Sequence, residues 1–278
     1  MIKNILVGID GSEHARNAED YAVWLSRNLQ ATLVGLHVVD IVAIEGSFFH
    51  DISGSLGFEP YFDLSTKMRD ALTERGRGLL QAFQERVAEQ HPAVEAVLSI
   101  GVVANEIAER ARTADLVVIG HRGSNEKYST GLLGSTAESI ARKSPQPVLV
   151  VPAAFRAPTR ALLAYDGSQR AAAAMQAAAD CCGALRLPLT VLTVGRDKES
   201  AEKTAADARK YLASHELASD CVVETGHAPE QIVSFVQRGG FDLLFIGAYG
   251  HSRIIEMVLG STTEYVLRNA ACPVFLNR

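Results

Sequence analysis

At 278 residues and 29.9 kDa the chain has room for one large domain or two of ordinary size, each big enough to bury a core of its own. Hydrophobic residues make up 47% and charged residues 21%, and no apolar run approaches the roughly 20 residues of a membrane-spanning helix, which excludes a membrane protein of that kind. A net charge of −5 and a pI near 5.9, with no block of lysine or arginine, argue against nucleic acid as the main partner, because a phosphate backbone needs a basic surface.

The opening residues, Met-Ile-Lys-Asn-Ile-Leu-Val-Gly-Ile-Asp, enter a strand at once and show no cleavage site after an apolar stretch, which reads as cytoplasmic. An apolar run over 5–9 ends at Asp10-Gly11-Ser12. The next segment places Ala18, Tyr21, Ala22, Leu25 and Leu29 on one helical face, with Ser12 as its N-cap. A second buried strand covers 32–39. Residues 41–66 then mix glycine with aromatics and read either as a surface for protein partners or as a packed cover. A helix over 65–89, a strand over 98–101, a short helix over 105–113, a strand over 116–120, a helix over 135–143 and a strand over 148–151 complete the unit.

Pro152 and Pro158 mark a short, stiff joint. Beyond it the order repeats: strand 161–165, helix 170–187, strand 189–194, helix 199–216, strand 221–224, helix 229–238, strand 243–247, helix 261–268 and strand 274–276. Continuous β-rich runs alternating with helices imply parallel sheets covered on both faces. The expected fold is therefore α/β, with two doubly wound five-stranded parallel-sheet domains in tandem, over residues 1–152 and 159–278.

The repeat extends to the residues that carry chemistry. In such a sheet a ligand sits beyond the carboxyl ends of the strands, where neighbouring connections run to opposite faces. In the second half Gly247-Ala-Tyr-Gly250 is followed by nine residues and then by Gly260-Ser261-Thr262 opening a helix. Glycines let backbone amides approach an anion, and a helix start adds free amides and a positive dipole end, so the pattern reads as a phosphate cradle. Asp10 and Asp166 end the first strand of each half and either face the ligand or cap the following turn. Arg122, Lys127, His251 and Arg253 each either meet phosphate or are solvated loop charges. His37 reads as a core or interface histidine, and the four cysteines as core filling in a reducing compartment, without metal-ligand spacing.

On Asp10-Gly11-Ser12 with Gly120-x-x-Gly123 and Gly134-Ser135, and on Asp166-Gly167-Ser168 with Gly247-x-x-Gly250 and Gly260-Ser261, the chain resembles the universal stress protein family in its tandem form. That resemblance implies a Rossmann-like fold of the adenine nucleotide alpha hydrolase type. It implies adenine nucleotide, as ATP with or without Mg²⁺, as the ligand. Asp166 would lie near ribose and adenine, and the backbone of Val194 would face the adenine. Gly247 would line the ribose, and Gly250, Gly260, Ser261 and Thr262 would hold the phosphates. The first-half counterparts are Asp10, Val38, Gly120, Gly123, Gly134, Ser135 and Thr136. Here ten residues rather than nine separate Gly123 from Gly134, which makes the second half the firmer site. The family also implies an internal pseudo-twofold pair meeting near 148–151 and 274–276, with a homodimer left open.

The leading functional expectation is a cytoplasmic stress-response module that binds ATP. A slow ATPase and an interaction protein with a vestigial pocket are the alternatives, the former weakened by the absence of a Gly-Lys-Ser/Thr phosphate loop. A Rossmann oxidoreductase would need Gly-x-Gly-x-x-Gly where Asp-Gly-Ser stands, and a receiver domain has no use for two glycine loops.

Overall fold

The computed structural model describes residues 1–42, 58–91, 94–123, 134–152, 154–217, 219–248 and 260–277, with the backbone alone for 58–63. The first copy runs β1 (Asn4–Gly8), α1 (Glu13–Leu29), β2 (Thr32–Asp40), α2 (Phe58–Val87), β3 (Glu95–Gly101), α3 (Val103–Arg110), β4 (Leu116–Gly120), α4 (Ser135–Lys143) and β5 (Val148–Val151). The second runs β6 (Ala161–Ala164), α5 (Gln169–Leu185), β7 (Leu189–Gly195), α6 (Lys198–Ser214), β8 (Ser219–Thr225), α7 (Ala228–Gly239), β9 (Leu243–Gly247), α8 (Ser261–Asn269) and β10 (Val274–Asn277).

Each copy contributes five mutually parallel strands, as the periodicity predicts, but the two sets form one ten-stranded sheet in the order β3-β2-β1-β4-β5-β10-β9-β6-β7-β8. The seam is the antiparallel pair β5 and β10, in which Val150 faces Val274 and Val148 faces Leu276. Four-residue strands, buried except for Asn277, would leave a bare apolar edge on either copy alone, and pairing them removes both edges.

Strand side chains alternate between the two faces. Ile5 and Val7 of β1 join Tyr21, Leu25 and Phe83 in a layer that continues under α5 and α6 through Met175, Cys182 and Leu212. Leu6 points the other way, into a layer with Ile107, Ile140, Val236 and Val266 from α3, α4, α7 and α8. Both layers cross the seam. Almost every described strand residue on the β4, β5, β9 and β10 core is buried, which is why these segments read as unbroken apolar runs.

One difference from the sequence expectation has a plain cause. α2 begins at Phe58 rather than near 65, because Pro60 falls in the first turn, where a missing N–H costs nothing, so the proline that suggests an irregular chain is compatible with a helix start. Of the 41–66 segment, 43–57 lies outside the described residues. The expected 105–113 helix is α3 followed by a short 3₁₀ turn, Ala111–Thr113.

Candidate functional site

β1 is the switch point of the first copy: it pairs with β2 on one side and β4 on the other, and the connections from these strands leave on opposite faces. A cleft of about 260 Å³ opens there. Asp10, Val38, Gly120, Gly123, Gly134, Ser135 and Thr136, the candidate residues of this copy, all line it.

Asp10 is held by its own turn. Its Oδ1 accepts from the Ser12 amide at 2.8 Å, Gly11 takes φ +79°, and the Ser12 hydroxyl then accepts from Ala15 N at 3.1 Å to start α1. The second copy repeats the device, with Ser168 N donating to Asp166 Oδ1 at 3.0 Å, Gly167 at φ +77° and Ser168 capping Ala171. The turn-capping role is therefore realised in both copies, and it fixes each carboxylate at the strand end.

The glycines frame the space. A Cβ on Gly120 would lie 2.7 Å from the His14 carbonyl carbon, and one on Gly247 would lie 2.6 Å from that of Arg170, so each strand end butts against the backbone at the start of the following layer's helix. A Cβ on Gly123 would come 2.8 Å from Asp10 Oδ2. The loop is closed at its base by Gly134 N donating to His121 O at 3.0 Å.

α4 starts at this point, and its start differs from those of α1, α5 and α6. These three carry Ser12, Ser168 and Asp197 as side-chain caps, whereas the N-cap of α4 is Gly134, which makes no side-chain cap bond. α8 repeats the pattern with Gly260. The first-turn amides of α4, beside the exposed Ser135 and Thr136, thus present a positive dipole end to the cleft with no side-chain cap bond among the described residues. That arrangement suits an anionic group.

Val38 and Val39 with Val103, Ile107 and Ile140 make an apolar wall. Opposite charges line the remainder: Asp10 and Asp40, against Arg75 and Arg122. Arg122 thus belongs to the cleft. His37 does as well, instead of sitting wholly in the core: it is half-buried, and its Nδ1 lies 2.7 Å from Ile9 O. Because a carbonyl can only accept, Nδ1 carries the proton in that contact.

Leu72 and Arg75, which reach the cleft from α2, are absent from the sequence motif. Their signal is the neighbouring Gly76, a glycine inside a long helix. A Cβ there would strike His37 Cδ2 at 2.5 Å, so this glycine lets α2 settle onto β2 and brings Arg75 to the rim.

In the second copy Asp166, Gly247, Gly260, Ser261 and Thr262 occupy the equivalent strand and helix ends, and Thr263 Oγ1 donates to Gly247 O at 3.2 Å, tying α8 to β9. Val194 lies near the carboxyl end of β7, paired with Glu224. Gly250, His251 and Arg253, within 249–259, and Lys127, within 124–133, lie outside the described residues.

These features define a doubly wound α/β protein made of two copies, each with a glycine-framed strand end and a glycine-started helix. The sequence profile of the Universal stress protein family matches residues 1–152 and again 158–278. Over 100% of both chains the sequence is 32% identical to a universal stress protein of Synechocystis sp.. It is 26% identical to one of Mycolicibacterium smegmatis over 99% of this chain and 96% of that one. The crystal structure of a universal stress protein from Archaeoglobus fulgidus matches the fold with a TM-score of 0.75, covering 99% of this chain and 98% of that one at 21% identity. The chain belongs to the universal stress protein family and carries the family's domain twice.

Proposed function

We propose that the protein is a stress-response binding module that holds adenine nucleotide, with ATP as the ligand tested first, in the glycine-framed cleft of each copy. The observation that carries this reading is the convergence of the seven first-copy residues on one cleft around the uncapped start of α4. A phosphate tail would take the amides of α4 together with the Ser135 and Thr136 hydroxyls, Arg122 would add charge at the loop, and the aliphatic wall by Val38 would receive the purine. Asp10, fixed by the Ser12 amide, would accept from a ribose hydroxyl. Mg²⁺, where present, would be held chiefly by phosphate and water.

The domain division at 152 and 159, a cytoplasmic setting and regulatory rather than catalytic use belong to the same proposal. The second copy would work alike through Asp166, Val194, Gly247, Gly250, Gly260, Ser261 and Thr262. Titration calorimetry with ATP tests it. Gly134→Asp sets a carboxylate over the α4 amides and Gly260→Asp does so at α8; each is expected to remove binding by its own copy. A double variant that binds ATP as the parent does would refute the assignment.

A further inference from the structure

A second cavity, of about 200 Å³, lies between the two copies beside the seam. Its polar lining comes from both sides: His14 and Arg122 with His121 from the first copy, Arg268 and Cys272 from the second. The rest of the wall is aliphatic or proline, and no carboxylate is among the described residues that line it. Two guanidinium groups and two imidazoles therefore share a space with no acid among the described residues of its wall.

Arg268 supplies the pointed observation. Its terminal nitrogen pairs with Glu264 at 2.7 Å one turn back on α8, yet its Nε is buried and meets no acceptor among the described residues. A buried charged donor left without an acceptor is costly, and a site that contains one calls for an oxygen ligand. Two carbonyls near the end of α8 already hold donors: Val266 O takes Ala270 N at 2.8 Å, and Leu267 O receives His121 Nε2 at 2.6 Å. Burial pushes the Cys272 thiol up to about 12, so it adds no negative charge at neutral pH.

The imidazoles of this cavity are not shared by the two copies. By position in the repeat, His14 corresponds to Arg170 and His121 to Ala248, so the imidazole pair stands on one side of the pseudo-twofold only. The ring centroids of His14 and His121 are 6.5 Å apart, so the two imidazoles stand side by side on one wall of the cavity.

We propose that this inter-copy cavity binds a phosphate group, with the Arg268 Nε and the Arg122 guanidinium as donors and the His14 and His121 imidazoles at its flank. Arg122 lines both this cavity and the first-copy cleft, so the group can arrive as free inorganic phosphate or as the end of a nucleotide chain lodged next door. The site itself stands whether or not the cleft takes adenine nucleotide.

Imidazole NMR of the whole chain, labelled at histidine, tests this, with His14 and His121 assigned from His14→Asn and His121→Asn. Inorganic phosphate and ATP are titrated separately at fixed pH and ionic strength. Saturable shifts of both rings with inorganic phosphate establish a free-anion site; shifts with ATP alone establish that the bound group is the nucleotide's terminal phosphate. In either case Arg268→Gln is expected to weaken the response by at least about tenfold. Arg268→Lys keeps the charge but lacks the Nε donor, so it should weaken the response less, and it serves if the glutamine variant does not fold. Because ATP binding through the cleft fails with Gly134→Asp while this response fails with Arg268→Gln, the two readings are separable. Rings that respond to neither ligand, or substitutions at Arg268 that leave the response unchanged, overturn the proposal.

Discussion

Glu19 of α1 is buried at 4% exposure, and Arg86 reaches across from α2 to pair with it and with Asp20, the latter at 2.7 Å. Burial also lowers the Arg86 pKa from its ordinary value. Taking away the arginine leaves a carboxylate in the core layer, so Arg86→Met should cost about 3 kcal/mol in denaturant titrations, and Glu19→Gln in the same chain should return part of it. Cysteine chemistry gives a pH dependence. Burial pushes the Cys181 thiol, like that of Cys272, up to about 12, and that of Cys182 higher still. In the unfolded chain a thiol ionises near ~8.5, so above that pH the unfolded state sheds protons that the folded state keeps. The stability tied to these thiols is complete below that point and declines as pH climbs toward 12. Denaturation midpoints should fall as pH rises from about 8.5 to about 10.5, and a Cys181→Ala, Cys182→Ala, Cys272→Ala triple variant should show a shallower fall. A triple variant with the parent's slope would place the alkaline sensitivity elsewhere.

At the scale of elements, α1 and α5 are each launched from an Asp-Gly-Ser turn with a serine cap. Ser12→Ala should lower stability by about 1 kcal/mol, read from the shift in denaturant midpoint. The same turn was the most legible part of the site, because Asp, a glycine able to take positive φ and a capping serine are each tied to one conformation by local chemistry. Strand and helix order was legible for a similar reason, since buried parallel strands such as 116–120 are unbroken apolar runs. Element ends drifted by a few residues, as fraying termini do. What escaped was set by tertiary packing. Arg75 enters the cleft because α2 presses on β2 at Gly76, and no local pattern around 75 announces which strand that helix meets.

For the whole molecule, the seam makes the two copies one cooperative body. Both core layers cross it, and flanking contacts reinforce it: Arg156 N donates to the Tyr21 hydroxyl at 3.1 Å, Phe155 packs edge-on against the Tyr21 ring at 4.8 Å, and Asp242 accepts from Thr159 N at 2.8 Å where the linker enters the second copy. The single tryptophan, Trp24, belongs to the first copy, so its fluorescence reports that half while far-ultraviolet circular dichroism reports both. The two signals should trace one coincident unfolding curve; a separate, earlier fluorescence transition would show that the halves melt independently. The pairing of β5 with β10 has a further effect, because it is antiparallel while every other ladder is parallel. The carboxyl ends of the first five strands emerge on one rim of the sheet and those of the last five on the opposite rim. A ligand held at the strand ends of one half would therefore face away from one held in the other. Two partners, one at each rim, would meet the chain without colliding, as at a double-ended coupler rather than in a pincer.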